Sequence, residues 1–466
     1  MSSDLPWLTI AQTQALYASR KLSPVELVTA LLARIGKLDP QLNVFIRLDA
    51  EKALAAARTA EQEIAAGGSR GPLHGIPVGI KDIIDVAGLP TTCHSKILAG
   101  NVAAADAPAV ASLRAAGAII LGKLSTHEFA FGGPSFDLPF PPARNPWDRT
   151  RHPGGSSSGS GAGVAAGFFP AALGSDTAGS IRNPASACGC VGLKPTYGRV
   201  SRRGAFPLAF TLDHVGPLTR TVADTALVLE AIAGFDPADP GSASWPKPAL
   251  APALNQGVRD LRVGFVRHFH ETDMPADPEV AAALEAAARL LEKDGATVST
   301  VTLPDLKESS AITRTIMHAE AWTIHAEWLR ARPGDYGQLS RKRLMTGAFL
   351  TAADYIDAQR RRLKLIAAVD DVFRDVDVLL CASSMDPPCR IDDDEAIGRT
   401  YPRQARNPFN TTGHPALAMM SGLSKDGLPL SLQFVGRAQD EATVLRTAAA
   451  FERASGVAEL HPKLAS

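Results

Sequence analysis

The sequence predicts an α/β or mixed-sheet fold with helices on both faces of the sheet. Helix-like and strand-like segments alternate along the chain, as in "APAVASLRAAG" followed by "AIILGKL" and then "GAGVAAGFFPAALGSDT". Segments of similar composition also lie before and after a helical block that runs from about Pro278 to Asp371. We therefore expect one large domain over residues 1–466, with a helical insertion at about 270–370 that shapes a substrate pocket.

The first 70 residues are predicted to be helical. Ser23 is a plausible N-cap, Pro24 occupies the first helical position and Glu26 completes a capping box. A second helix, rich in alanine and charged residues, is expected from Asp49 to about Ala66. These helices precede a core region over residues 71–235.

The core is expected to begin with a short buried strand and to resume after the insertion. In "HGIPVGIKDIIDVAG" the apolar run Ile76–Ile83 is entered through a proline, which is typical of a buried strand. The later segments are a Pro/Gly/Ser-rich surface connection, two strands and a closing helix after "GLPLSLQFVGR": Phe235–Pro248, Leu261–Val266, Val376–Leu380 and Asp440–Ser455. Residues 371–466 are thus expected to return to the core.

Composition excludes several classes of partner. The 466 residues contain 48 Lys plus Arg and 48 Asp plus Glu, with no basic block, so neither nucleic acid nor an anionic membrane is expected as a partner. No apolar run reaches about 18 residues, and the start "MSSDLPWLTIAQ" does not resemble a signal peptide. We expect a soluble, cytoplasmic protein with a small, largely uncharged substrate.

Cysteine and histidine spacing indicates no metal site. Cys188 and Cys190 form C-x-C, while Cys381 and Cys389 lie eight positions apart, and neither pair has zinc-site spacing. Free cysteine usually behaves as a small core residue, so we expect buried thiols at both pairs. H-E-x-x-H is also absent from the sequence. We expect neither a metal nor another cofactor.

The stretch "HPGGSSSGSGAGVAAG", His152–Gly167, could be a linker, a phosphate loop or part of a catalytic site. It runs into small and apolar sequence, which favours a buried segment but leaves a linker open. No lysine follows the glycines, so a phosphate loop is excluded. Gly161, Gly163 and Ala166 fit a dinucleotide fingerprint, but "RTRHPGGSSS" before them is not a strand.

The same stretch also contains G-x-S-x-G, with Ser157 in the position of a hydrolase nucleophile. His414 in "TTGHPAL" would be its natural partner, although it could equally be a turn residue. The loop-like sequence before the motif argues against this interpretation, because the motif normally follows a strand.

Two other stretches carry polar groups among small or apolar residues. Lys81 lies within an apolar strand, where burial lowers the pKa of a lysine and makes it a competent base. It could instead lie at a strand end and pair with Asp82 or Asp85. Ser180 follows very small residues whose backbone N–H groups could converge as an oxyanion hole, or could simply form a tight turn around a buried serine.

Taken together, these stretches resemble one family. "GIPVGIKD", "GGSSSGSGAGVAAG" and "GSDTAGSIRNPASACGCVGLKPTYGRVS", in this order and spacing, resemble the amidase signature family. The resemblance continues through "RNPWD", "DHVGPLTRTVADTALVLEAIAG", "FNTTGHPAL" and "GLPLSLQFVGR". It implies a single α/β domain with a mixed sheet sandwiched by helices, and amide hydrolysis by a Ser, cis-Ser, Lys triad without a cofactor.

Matched to the family motifs, the nucleophile is Ser180, the bridging serine is Ser156 and the lysine is Lys81. The resemblance further implies oxyanion donors and supporting side chains: the backbone N–H groups of Thr177, Ala178, Gly179 and Ser180, and the supports Ser157, Asp176 and Arg182. Two glycines of the usual motifs are replaced here by Ser158 and Ala178. The alanine restricts φ, so it can serve only with a negative φ.

The substrate is less well defined by the sequence. In "EFAFGGPSFDLPFPP" we expect Phe129, Phe131, Gly132 and Gly133 to border an acyl pocket for an apolar amide such as an aryl amide, anilide or carbamate. Ordinary packing beneath a loop is the alternative. Family members that hydrolyse glutamine within a tRNA-dependent amidotransferase, or that need a small partner subunit, provide alternative functions, and a homodimer is common in the family.

Overall fold

The structure, a computed structural model, describes residues 5–464. Predictions that include residues 1–4 or 465–466 lie outside the described residues at those positions. The strands are β1 Phe45–Leu48, β2 Pro77–Lys81, β3 Ile119–Leu124, β4 Ala171–Asp176, β5 Val191–Lys194, β6 His214–Thr219, β7 Arg262–Phe265, β8 Thr297–Thr300, β9 Val378–Ala382, β10 Ala416–Leu423 and β11 Pro429–Gly436.

These strands form one eleven-stranded mixed sheet in the order β1-β3-β2-β4-β6-β5-β10-β11-β9-β7-β8. Strand β2 is parallel to both β3 and β4, and β7 is parallel to both β8 and β9, whereas the other neighbours are antiparallel. The predicted fold class, an α/β fold with a mixed sheet flanked by helices, is confirmed.

Fourteen α-helices accompany the sheet in the described residues. They are α1 Ile10–Ala18, α2 Pro24–Leu42, α3 Ala50–Ala65, α4 Pro108–Ala115, α5 Ser158–Ala165, α6 Arg182–Cys188, α7 Val222–Ile232, α8 Pro278–Lys293, α9 Leu306–Ala331, α10 Gln338–Met345, α11 Ala352–Val372, α12 Asp394–Thr400, α13 Asn407–Thr411 and α14 Glu441–Ser455. None of these helices combines the length and the apolar character needed to span a bilayer.

The strand alternation produces an apolar core on each face of the sheet. In β3, Ile120 belongs to the larger core cluster, while Ile119 and Leu121 belong to a smaller one that also contains residues of α2, α3, α5 and α6. Successive side chains of a strand point to opposite faces, so the two clusters lie on opposite sides of the sheet. Helices must therefore cover both faces.

The predicted N-terminal cap is present at α2. The hydroxyl of Ser23 accepts a hydrogen bond from the backbone N–H of Glu26 at 3.2 Å, and the Glu26 carboxylate accepts one from the backbone N–H of Ser23 at 2.8 Å. The next helix, α3, lies within the predicted range. Local capping rules were sufficient here because the partners are only three residues apart.

The predicted helical block needs a correction. Strand β8 lies inside it, at the edge of the sheet, and α8 packs against β11. The strand is the short, polar and largely exposed segment "TVST", which shows no apolar alternation from which a strand could be predicted. The helical part that leaves the sheet is therefore shorter and consists mainly of α9, α10 and α11.

The four cysteines of the two predicted pairs are free thiols. Cys188, Cys190 and Cys381 are buried as expected, whereas Cys389 is only half-buried because it lies in a loop between β9 and α12.

A buried ion pair links β3 to the loop after β2. The Nζ of Lys123 lies 2.9 Å from the carboxylate of Asp82, and both side chains are fully buried. Asp82 also accepts a hydrogen bond from the backbone N–H of Thr92 at 3.1 Å. Asp82 is thus paired with Lys123, and the alternative in which it pairs with Lys81 is not realised.

Replacing Lys123 with alanine should destabilise the fold strongly. Removing one partner of a buried pair leaves an uncompensated charge, which costs about 3–5 kcal/mol. Chemical denaturation should show this loss for Lys123→Ala and little change for Arg361→Ala, whose pair with Asp357 is largely exposed. Equal stability of the two variants would contradict a structural role for the buried pair.

Candidate active site

The candidate site lies where two neighbouring parallel strands end. Strand β2 ends at Lys81 and its neighbour β4 ends at Asp176. Because parallel strands share a direction, their carboxyl ends meet at one edge, where ligand sites of open α/β sheets usually form. The loop before α5 and the loop between β4 and α6 bring the serines to this edge.

Lys81 is fully buried and lies between two hydroxyls. Its Nζ is 2.7 Å from the Oγ of Ser156 and 2.8 Å from the Oγ of Ser175. Burial lowers the pKa of Lys81 to about 7, although the charges of Asp176 and Asp213 partly oppose this shift. A substantial neutral fraction therefore exists near neutral pH, and a neutral amine can accept a proton.

The backbone at Ser156 is tightly packed. The peptide bond between Gly155 and Ser156 is cis, and the carbonyl of Ser156 accepts the backbone N–H of His127 at 3.0 Å. A Cβ on Gly155 would collide with the His127 ring, so only glycine fits. The glycine-serine stretch is therefore a buried part of the site rather than a flexible linker.

Ser157 and His414 do not form a nucleophile pair. The Ser157 hydroxyl donates to the carbonyl of Ser175 and accepts its backbone N–H, both at 3.2 Å. His414 is hydrogen-bonded to Asp370 at 2.9 Å, on α11. Ser157 thus ties its loop to β4, next to the site.

Asp176 fixes the loop that carries Ser180. Its carboxylate accepts the backbone N–H of Gly179 at 2.7 Å and that of Ile181 at 3.2 Å. Gly179 has a φ of +117°, and Ala178 is not among the residues with positive φ. Ala178 therefore has the negative φ that an alanine needs at this position of the loop.

The predicted oxyanion donors are not equivalent. The N–H of Gly179 is already bonded to Asp176, whereas within residues 5–464 no acceptor lies in hydrogen-bonding position to the N–H of Thr177, Ala178 or Ser180. These three N–H groups remain as candidate donors. The loop thus offers fewer free N–H groups than the sequence indicated.

A buried ion pair supports this loop from behind. The Nε of Arg182 lies 3.0 Å from the Asp176 carboxylate, and both residues are fully buried. Burial alone would raise the pKa of Asp176, but the charge and hydrogen bonds of Arg182, with help from Lys194 and Asn410, hold it far below its usual range. Asp176 therefore stays ionised and accepts hydrogen bonds from the backbone N–H groups of Gly179 and Ile181.

Ser156 and Ser180 line a common cavity of about 390 Å³. Of the four predicted pocket residues, Phe131 and Gly132 line it, but Phe129 and Gly133 do not. The ring of Phe129 packs instead against His325, with ring centroids 4.5 Å apart. Phe129 is part of an aromatic cluster that does not line the cavity, as in the packing alternative for this segment.

Several residues that line the cavity were not predicted from the sequence. These are His127 and four cationic residues: Lys307 and Arg314 of α9, Arg343 of α10 and Arg406 before α13. They come from distant, motif-poor segments, and no local pattern marks them as neighbours of Ser180. Ser175 was also missed, since its contact with Lys81 depends on the pairing of β2 with β4.

One cluster of metal-ligating side chains occurs elsewhere in residues 5–464. It consists of His270, Glu271 and Glu285. Glu285 also forms an ion pair with Arg267. The cluster does not line the cavity of Ser180.

Comparisons with known proteins identify a matching family and related chains. The sequence model of the protein family Amidase matches residues 26–445. One chain of the Glutamyl-tRNA(Gln) amidotransferase of Chloroflexus aggregans is 40% identical over 488 aligned positions, covering 99% of each chain.

Two solved structures are also similar. One is an inhibitor-bound complex described as a vestigial protein complex that reveals the evolutionary origins of an s-triazine catabolic enzyme; it has a TM-score of 0.91 and 35% identity, covering 96% of this chain and 99% of its own. The other, a bacterial aryl acylamidase of the amidase signature family, has a TM-score of 0.88 and 28% identity, covering 97% and 98% respectively.

The titration of Lys81 can be observed directly. With ¹³Cε-lysine labelling, the resonance of Lys81, assigned by its absence in Lys81→Met, should titrate with a midpoint near pH 7. Exposed lysines should titrate near 10.4, their unperturbed value. A Lys81 resonance that does not change between pH 5.5 and 8.5 would contradict the effect assigned to burial.

Proposed function

The chain belongs to the amidase signature family of amide hydrolases, and we propose that it cleaves small amides through a covalent acyl-enzyme on Ser180. One observation carries this proposal. The Oγ of Ser156 lies 2.7 Å from the Nζ of the buried Lys81 and faces the same cavity as Ser180. In this proposal Lys81 is the base, Ser156 is the bridging hydroxyl and the half-buried Ser180 is the nucleophile.

Proton transfer begins at the lysine. Neutral Lys81 accepts the proton of Ser156, and Ser156 accepts the proton of Ser180 as the Oγ of Ser180 attacks the amide carbonyl. The hydroxyl of Ser175 provides the second hydrogen bond that orients the amine of Lys81. Lys81 then carries the positive charge while the tetrahedral intermediate carries the negative one.

The free N–H groups of the Ser180 loop stabilise that negative charge. Backbone donors that are fixed in advance need no reorganisation when the oxyanion forms. Asp176 supplies this rigidity, because it holds the N–H groups on either side of Ser180. Thr177, Ala178 and Ser180 are the candidate donors.

The relay then runs in reverse. The proton on Lys81 returns through Ser156 to the amide nitrogen, the C–N bond breaks, and an amine or ammonia leaves an ester on Ser180. Water adds to this ester and gives its proton to the same relay. The acid departs when the C–O bond to Ser180 breaks and Ser180 regains a proton, so the enzyme is unchanged after one turnover.

A second candidate function is the amide-donor site of a tRNA-dependent amidotransferase. The 40% identity to one chain of such an amidotransferase, over 99% of both sequences, favours it over a stand-alone hydrolase of aryl amides. The solved relative at TM-score 0.91 is itself described as part of a protein complex. In this function the chain would hydrolyse glutamine and act only with partner proteins.

Activity of the purified chain separates these functions. Turnover of simple amides by the chain alone would support the stand-alone function, whereas turnover of glutamine only after partner proteins are added would support the amidotransferase function. Ammonia and amine release should be followed for both arrangements.

Ser180→Ala should abolish turnover of whichever amide is cleaved. Loss of the nucleophile should lower kcat by about 10³-fold or more. Ser157→Ala is the matched control: it should lower the melting temperature, since it loses its bonds to Ser175, but keep turnover within about tenfold. If Ser157→Ala were inactive and Ser180→Ala active, the assignment of the nucleophile would be wrong.

The rate should rise with pH through the titration of Lys81. Protonated Lys81 cannot accept a proton, so kcat/KM should be low below pH 6 and level off above pH 8, with a midpoint near the pKa of about 7. Asp213→Asn should move the midpoint to lower pH, because the charge of Asp213 raises the pKa of Lys81. A shift to higher pH, or a flat profile, would contradict Lys81 as the base.

A further inference from the structure

Four cationic side chains line the cavity of Ser180, and none of its lining residues is an aspartate or glutamate. The cations are Lys307, Arg314, Arg343 and Arg406. Within residues 5–464, none of the four forms an ion pair with a carboxylate, although many other arginines of the chain do. The charge of Asp176 acts on Arg406, but this carboxylate is already paired with Arg182, so the described residues offer no carboxylate that pairs directly with the cations of this cavity.

Arg406 is the deepest of the four and lies beside Ser180. Only 2% of it is exposed, and its Nη1 donates to the carbonyl of Ser383 at 2.8 Å and to the hydroxyl of Ser384 at 2.7 Å. Its Nε is buried without a hydrogen-bond partner in the described chain. A Cβ on Gly179 would lie 2.5 Å from this Nε, which places the unpartnered donor against the residue before Ser180.

Arg343 approaches the cavity from the helical side. It lies on α10, is half-buried, and donates from Nη1 to the carbonyl of Gly132 at 2.6 Å. Lys307 and Arg314 lie on α9 and are exposed. Two partly or fully buried guanidinium groups thus line the cavity, together with two exposed cations.

Charges of this kind favour an anionic ligand. A buried cation without a counter-charge is costly, and a guanidinium binds a carboxylate with two parallel hydrogen bonds. A neutral amide would displace water and leave Arg343 and Arg406 unpaired. A zwitterion such as glutamine would satisfy one arginine, but its ammonium would meet a cationic wall with no carboxylate.

We infer that the site cleaves a small amide that carries a carboxylate and no ammonium, such as the monoamide of a short dicarboxylic acid, and that Arg343 and Arg406 bind its carboxylate. This inference rests on the proposed function of Ser180. It replaces the largely uncharged, apolar substrate that composition and the phenylalanines indicated. The cavity of about 390 Å³ restricts the ligand to a small molecule.

Binding to Ser180→Ala tests the inference without turnover. Calorimetry should compare succinamate with butyramide, in which a methyl group replaces the carboxylate, and with glutamine, which adds an ammonium. Succinamate should bind about 10- to 100-fold more tightly than either, the range expected for hydrogen bonds to a charged group. Equal or weaker binding of succinamate would overturn the inference.

The arginines are tested on the same background. Arg343→Gln should remove most of the preference for succinamate over butyramide, whereas Arg341→Gln, on the same helix but outside the cavity lining, should keep it. Arg406→Gln should act like Arg343→Gln where the variant folds, and Arg343→Gln decides the matter where it does not. A preference that survives Arg343→Gln in full would overturn its assigned role.

Failure of the proposed function gives a different result. If succinamate binds as expected but Ser180 never receives an acyl group from any amide, the acyl-enzyme proposal fails while the anion site stands. If butyramide and glutamine are cleaved in a Ser180-dependent reaction and succinamate is not preferred, the acyl-enzyme proposal stands and the inference fails.

Discussion

The site depends on one amine that is buried against two hydroxyls. Lys81 lies at the end of a central strand and is removed from water, so its charged form is costly in free energy. Burial therefore lowers its pKa and favours the neutral amine. The contacts of Lys81 with Ser156 and Ser175 give this neutral amine fixed partners in place of water. Neighbouring residues hold these two hydroxyls in contact with the lysine in two ways.

The first way is close packing of the backbone around the serines. Gly155 leaves room for the His127 ring, and a Cβ on Gly174 would lie 2.8 Å from the hydroxyl of Ser157. Ion pairing is the second, since Arg182 holds Asp176, which in turn holds the Ser180 loop. Asn410 adds a hydrogen bond from its side-chain amide to the carbonyl of Asp176 at 3.0 Å, so the C-terminal part of the chain also stabilises the site.

The sequence was most informative where the determinants are local or form a motif. The capping box at Ser23 and the α/β pattern were readable because their partners or periods lie within a few residues. The family motifs brought Lys81, Ser156 and Ser180 into one hypothesis, and the structure places all three at one edge of the sheet. Their individual roles stay predictions.

The features that could not be predicted from the sequence depend on contacts between residues that are far apart in the chain. Strand β8 lacks an apolar pattern because it lies at an exposed edge, and Phe129 faces an aromatic cluster rather than the cavity because of how α9 packs above it. The cations of α9, α10 and the segment before α13 meet only in the folded chain, so a balanced net charge in the sequence concealed a strongly positive cavity.

The central claim is that Ser180 becomes acylated, and the most direct measurement is peptide mapping by mass spectrometry after the enzyme is mixed with a cleaved amide and quenched in acid. The account predicts an added acyl mass on the peptide that contains Ser180, and none on the peptide that contains Ser156 and Ser157. An acyl group on the second peptide, or turnover without any acylated peptide at times shorter than one catalytic cycle, would contradict it.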